Sequence, residues 1–392
     1  MKNQEYKNGS RRKFLQKSAA IGAIAPFVGI PNLLAANEPV IEKSNKPLKI
    51  LVLGGTKYLG IHQINYALKR GHSISTFTRG KTKPSLHQEI FKDVESLVGD
   101  RNDNLEALKN RKWDVVIDNS GRRVQWTKDT AELLKDNVGM YLYVSSISAY
   151  YPFTGDDFTE ERELVREIPA DAGDETRLYE YGVMKANSEL AAAEAFGKER
   201  TVVVRPTFII GPGNPKNRFL HWTLRMERGG DILVPGKLTD QVQYIDVRDL
   251  SKFMITLLEN KTAGTFNGVA PASAMSTAAF AHGSHAAFAA PVSYHYANDY
   301  DFLKENDIRF MCPWVMPEGK SKGMVYVSNQ KSLEAGLTIS PLSKTTLDIK
   351  DWWYSEAVEE KRRQGFLDDT ASIMNTEADL VAKWKEWKEK SK

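Results

Sequence analysis

The sequence predicts an α/β chain: a doubly wound parallel sheet followed by a smaller C-terminal α+β region. Three observations predict it. An apolar run at residues 50–53 turns on Gly54 and Gly55 and passes through Gly60 into a helical pattern at Ile61, Ile64 and Leu68. Further short apolar runs alternate with helical periodicity as far as Val144, which a sheet covered by helices on both faces demands. A helix expected over residues 181–195 then leads into one more apolar run at 201–204.

Taken in order, the strands are expected at 49–53, 73–77, 95–98, 115–117 and 141–144, with helices at 61–70, 105–109 and 127–135 between them. After Arg205-Pro206 the pattern loosens into the turn-rich loop Gly211-Pro212-Gly213-Asn214-Pro215. A helix at 219–227, a returning strand at 243–245 and a helix at 247–258 follow, and the alanine-rich stretch 278–290 reads as a helix. The tail at 377–390 is a charged amphipathic helix with Leu380, Trp384 and Trp387 on one stripe, suited to packing. No internal repeat is present. The expected division is a signal at 1–36, a linker at 37–47, a nucleotide-binding domain at 48–205 with returns to about 260, and a substrate-binding region at 206–392.

The net charge of +4 misleads. The first 36 residues carry six basic side chains and one acid, leaving 48 basic against 49 acidic residues in the body. A near-neutral body implies no nucleic-acid partner. The excess sits in Ser10-Arg11-Arg12-Lys13-Phe14-Leu15-Gln16-Lys17, followed by a mild apolar stretch. Paired arginines followed by Phe-Leu read as a twin-arginine signal, which addresses the machinery that exports folded proteins. The apolar stretch is broken by Gly22, Pro26, Gly29 and Pro31, so it makes no permanent membrane span. Cleavage after Ala35 or Ala36 would leave the mature protein in the periplasm or outside the cell. A nucleotide cofactor would then have to stay bound, with no pool to replace it. The single cysteine, Cys312, excludes an intramolecular disulfide and a cysteine-based metal cluster, and no histidine shows metal-ligand spacing.

Two motifs carry chemistry. Gly54-Gly55-Thr56-Lys57-Tyr58-Leu59-Gly60 is a loop whose glycines let the backbone approach a pyrophosphate resting on the free amides of a helix start. Lys57 stands where the usual pattern has its middle glycine. Downstream, Tyr181-x-x-x-Lys185 puts a phenol and an ammonium one helical turn apart on one face. An ammonium beside a phenol favours the phenolate, which can exchange a proton with a substrate hydroxyl. Ser145 and Ser146 end a predicted strand, where ligands bind in open α/β sheets.

Together, Gly54…Gly60, Ser145-Ser146-x-x-x-Tyr150, Tyr181…Lys185 and Arg205-Pro206 resemble the extended short-chain dehydrogenase/reductase family. The similarity is to its NAD-dependent epimerase/dehydratase branch and runs over roughly residues 48–260. The resemblance implies a Rossmann-type sheet, an NAD or NADP cofactor, and Tyr181 as the catalytic acid/base. It implies Lys185 as the partner that lowers the phenol's pKa and binds the ribose, and Ser146 as the hydroxyl that orients the substrate, with Ser145 its rival. Asp100 resembles the acid that meets the adenine, and Asn119-Ser120-Gly121 the turn that lines the cofactor. The competing reading of these serines and turn residues is capping and loop chemistry.

The departures narrow the function. The second strand ends in Phe77-Thr78-Arg79-Gly80-Lys81 without a carboxylate; Arg79 and Lys81 suit a 2′-phosphate, or Arg79 stacks on the adenine. Ile147-Ser148 replaces the Asp-Glu pair of the sugar dehydratases. Val242 stands where nucleotide-sugar enzymes often carry arginine, which points to a free sugar, glycoside or glycan fragment. Arg218, His221 and Trp222 are candidate substrate contacts, against the simpler reading of an amphipathic helix with a buried tryptophan. The expected function is an exported NAD(P)-dependent epimerase or oxidoreductase acting on a carbohydrate-like hydroxyl. The alternative is a non-catalytic protein that retains the cofactor or binds a glycan. The motifs leave room for a homo-oligomer.

Overall fold

The computed structural model describes residues 41–119 and 121–391. The expected signal and the first four residues of the linker lie outside the described residues, as does Ser120. The first strand, β1 (Lys49–Leu53), is buried along all but its first residue. Its side chains alternate between two cores, Ile50 and Val52 on one face and Leu51 and Leu53 on the other. A strand buried on both faces must be covered twice, which sets the architecture.

Six further strands join β1 in one parallel sheet: β2 (Ser73–Thr78), β3 (Val94–Val98), β4 (Trp113–Asp118), β5 (Val138–Val144), β6 (Thr201–Pro206) and β10 (Gly264–Gly268). Their order is β10-β6-β5-β4-β1-β2-β3, so the winding reverses between β1 and β4. One face is covered by α1 (Tyr58–Lys69) and α5 (Val247–Glu259), through Ile64, Ala67, Leu250, Phe253 and Met254. The other is covered by α2 (Val124–Leu134) and α3 (Thr176–Phe196), through Ala131, Leu134, Ala192 and Phe196. Register pairs Leu53 with Asp118, Asp118 with Tyr143 and Val144 with Val204. The residues just past these strand ends therefore share one edge.

The sheet does not end at residue 205. β10 was not anticipated because Gly-Thr-Phe-Asn-Gly has little strand character of its own; it is held by pairing along β6. The core cluster that holds Ile50 also holds Trp353 and Trp384, so the C-terminal region shares the core of the sheet.

That region holds the two-residue strands β7 (Ile209–Ile210) and β9 (Ile245–Asp246), which pair with each other. It adds a parallel pair, β8 (Gly230–Pro235) with β11 (Val292–Ala297). Helices α4 (Leu220–Arg228), α6 (Thr277–His285), α7 (Tyr300–Glu305), α8 (Gln330–Glu334), α9 (Leu342–Tyr354), α10 (Glu360–Leu367) and α11 (Ile373–Lys390) surround them. The helix expected over 278–290 stops at His285. The segment expected as a helix at 105–109 is a single 3-10 turn, Glu106–Leu108. In α11, Trp384 is buried against Phe302, with ring centroids 4.9 Å apart, and the Trp387 indole donates to Asp299 at 3.0 Å. Among the described residues no helix is long and apolar enough to cross a membrane, and no cluster of metal-ligating side chains occurs.

Candidate active site

β1 runs into Gly54 and Gly55, whose φ angles are +99° and +103°, a region open to glycine without steric cost. A Cβ on Gly60 would lie 2.4 Å from the Gly55 Cα, so α1 closes onto the loop only because position 60 has none. Lys57 caps the helix at φ −130°. That is extended backbone open to any residue, which is why the middle glycine is dispensable here. A cavity of about 500 Å³ opens over this loop, lined by Gly54, Gly55, Thr56, Lys57, Leu59 and Gly60. Arg79 and Lys81 at the end of β2 line it too, and Asp100 is the one carboxylate on its wall among the described residues. Asp100 also accepts from the Asn102 amide at 3.0 Å. Beneath it, Arg101 is buried against Asp118, with Nη2 2.9 Å from Oδ2.

A second cavity of about 800 Å³ shares Asn119 and Arg122 with the first. The two form one cleft along the carboxyl ends of β1, β4 and β5, at the point where the winding reverses and such sheets bind ligands. At the junction Asn119 donates to Gln63 at 2.6 Å, while its Oδ1 is buried without a partner. An orphaned acceptor is costly unless a ligand meets it. The glycine cradle and this acceptor fit a dinucleotide laid across the edge of the sheet. Tyr58, from the same loop, turns into the second cavity, where its hydroxyl is likewise buried without a partner.

The reacting end is built by one close contact. A Cβ on Gly182 would lie 2.4 Å from the Ser148 carbonyl oxygen, so α3 rests directly on the 3-10 turn Ile147–Tyr150. Ser146 caps that turn, its Oγ accepting from the Ser148 amide at 3.1 Å. The contact brings Tyr181 to Ser146 on the cavity wall, beside Lys185. Tyr181 keeps 47% of its surface exposed. Partial burial raises its pKa, and the Ser146 hydroxyl, Arg122 and Arg218 pull the other way.

Lys185 differs from expectation. Its Nζ is buried, donates to the Val144 carbonyl at 2.9 Å and lies 5.9 Å from the Tyr181 ring centroid. Burial pushes its pKa down to about 8, against the attraction of Asp118 and Glu189. The ammonium is drawn to the end of β5, so the groups that ease ionisation of the phenol here are Ser146 and the two arginines.

The two serines separate cleanly. Ser145 lines the cavity but donates to Glu189, which is paired with Arg205 at 3.0 and 2.6 Å. Arg205 also donates to the Tyr150 hydroxyl at 2.8 Å, which donates to Asn267 at 2.8 Å. This buried network fixes the floor beneath Ser146. Sequence reasoning missed Glu189 and Gly182; the signal for Glu189 was its place one helical turn beyond Lys185.

The three substrate candidates scatter. Arg218 lines the reacting cavity and an adjoining one of about 690 Å³. His221 lines only the adjoining cavity, and burial holds it neutral. Trp222 is a correction: it is fully buried, its indole donating to the Cys312 carbonyl at 2.9 Å. Its ring packs on Phe280 because α4 turns its apolar face inward.

Comparison with known proteins agrees with this fold. A chloroplast stem-loop binding protein of 41 kDa from Arabidopsis thaliana is 28% identical over 288 residues, 67% of this chain and 70% of that one. The Bordetella bronchiseptica enzyme WbmH, solved with NAD+, has TM-score 0.56 and 14% identity, covering 80% of this chain and all of the other. Human epimerase family protein SDR39U1, solved with NADPH, has TM-score 0.51 and 18% identity, covering 77% and 99%. At these identities the solved structures speak for the fold. The model of the NAD dependent epimerase/dehydratase family matches residues 50–268, more than half of the chain and the whole sheet but the first residue of β1. The chain therefore belongs to the NAD-dependent epimerase/dehydratase family.

Proposed function

We propose that this chain is an exported NAD(P)-dependent epimerase or oxidoreductase acting on a carbohydrate-like hydroxyl through Ser146, Tyr181 and Lys185. The observation that carries this reading is the meeting of Tyr181 and Ser146 on a cleft continuous with the glycine cradle. The fold is that of structures solved with NAD+ and NADPH, which supports either cofactor. Arg79 and Lys81 favour one bearing a 2′-phosphate. A bound nicotinamide supplies the acceptor and donor of hydride.

The chain's residues supply the rest. Ser146 hydrogen-bonds the substrate oxygen and fixes it against Tyr181. Ionised Tyr181 takes the hydroxyl proton as the carbon is oxidised and returns it on reduction. Lys185, charged below about pH 8, holds the cofactor ribose. No carboxylate lines the reacting cavity among the described residues, which supports redox exchange over elimination of water. Val242, buried in the core, offers nothing to a diphosphate and supports a substrate without one.

Export rests on the arginine pair at residues 11 and 12, outside the described residues. It favours a self-restoring epimerisation with retained cofactor. Cell fractionation tests it: Arg11→Lys with Arg12→Lys traps the protein in the cytoplasm, and unchanged export counts against the reading.

Replacing Tyr181 with Phe tests the chemistry. Turnover falls by at least about a hundredfold, while mass spectrometry still finds the cofactor in the purified protein; an active Phe variant would refute the assignment. The second reading, a non-catalytic binding protein, is favoured by the likeness to a stem-loop binding protein. Stem-loop binding with no response of the nicotinamide to sugars would establish it.

A further inference from the structure

The reacting cavity is one-sided in charge. Arg122, Lys185, Lys216 and Arg218 line it, and among the described residues no Asp or Glu does. Two of these cations have evident work. Lys185 is held by the Val144 carbonyl beside Tyr181, and Arg122 is shared with the cradle cavity, where a dinucleotide would lie. Lys216 and Arg218 are absent from the cradle, and neither side chain has an ion pair among the described residues.

The loop that presents these two is built to stay in place. Asn214 accepts from the Lys216 amide at 2.9 Å and donates to the Ile209 carbonyl at 3.0 Å. Arg362, from α10, donates to the Asn214 carbonyl at 2.7 Å and to Asn217 Oδ1 at 2.5 Å, its guanidinium 5.0 Å from the Trp352 ring centroid. Asn217 is held at φ +51°, a conformation with a modest cost that its contacts must offset. These bonds fix the backbone on either side of the two cations, whose side chains are themselves exposed. A pair set to meet an anion gains from being held still. A cleft lined by one sign of charge also focuses its field on what enters.

We propose that Lys216 and Arg218 form an oxyanion subsite, so that the substrate is an acidic carbohydrate bearing a carboxylate or a phosphate near the reacting hydroxyl. The guanidinium fork suits either group. The proposal rests on the reading of the cleft as a redox site for carbohydrates. The adjoining cavity beyond Arg218 receives what lies past the charged unit.

The test uses the full chain with its retained cofactor reduced by borohydride, and follows the dihydronicotinamide fluorescence on titration with three probes. These are methyl glucuronide, glucose 6-phosphate and neutral methyl glucoside. At least one acidic probe binds tighter than the neutral one by about tenfold, and the margin shrinks as salt is raised. Which acidic probe wins identifies the anion. Arg218→Ala lowers the acidic-over-neutral preference by about tenfold, and Arg218→Glu removes it, with cofactor retention showing that both variants are folded. A response to neutral and acidic probes alike overturns the subsite and leaves the redox reading standing. Silence towards all three overturns both.

Discussion

At the residue scale, the adjacent serines do different work. Ser146 faces the phenol, whereas Ser145 is spent on Glu189. Ser146→Ala is expected to lower kcat about a hundredfold by removing the group that orients the substrate oxygen. Ser145→Ala should cost about 1 kcal/mol of stability with a much smaller effect on kcat; steady-state kinetics and urea unfolding of the pair check this. Gly182→Ala would push a methyl into the Ser148 carbonyl. It is expected to move Tyr181 off Ser146, lowering kcat and costing about 1–3 kcal/mol. The Tyr-x-x-x-Lys spacing was legible because it is local to one helix. Gly182 was not, because its need arises only where α3 meets a turn more than thirty residues earlier. The same holds for Lys185, whose preference for the Val144 carbonyl depends on the end of a distant strand.

At the element scale, α1 anchors the loop that follows β7. His62 is buried with Nε2 2.9 Å from the Pro212 carbonyl, so the neutral ring donates there. Burial holds its pKa down to about 4. The unfolded chain therefore takes up a proton first as pH falls. This contribution is complete above about pH 6.5 and is lost between 6.5 and 4, amounting to about 3 kcal/mol. Urea unfolding at pH 7 and pH 4.5 should show that loss in the parent protein and a smaller one in His62→Gln; equal losses would reject the role of His62. Elements with strong apolar periodicity were legible, among them β1, α3 and the tryptophan stripe of α11. Its buried Glu377 was not. That carboxylate is sequestered between Arg225 and Arg228 and accepts from the Leu233 amide at 2.8 Å, a tertiary pairing with no local sign. The end of α6 was misplaced because alanine favours helix through residue 290, whereas the chain turns after His285 to reach β11.

At the scale of the whole molecule, the fold class followed from alternation of apolar runs and helices, and the position of the cleft follows from the strand order. The reversal between β1 and β4 opens the sheet edge where Gly54, Asn119 and Ser145 arrive together. Sequence spacing named most of these residues but not their union, because the strand ends are brought level by register. The C-terminal region was the least legible part, its short elements being held by tertiary packing on the sheet. The proposed chemistry depends on the joined cleft. A crystal structure of the protein with its retained dinucleotide tests it most directly. Pyrophosphate is expected over Gly54–Gly60, with the reactive nicotinamide carbon within about 4 Å of the space between the Tyr181 and Ser146 hydroxyls. A nicotinamide ring lying outside that cavity, with the Tyr181 hydroxyl facing solvent, would contradict it.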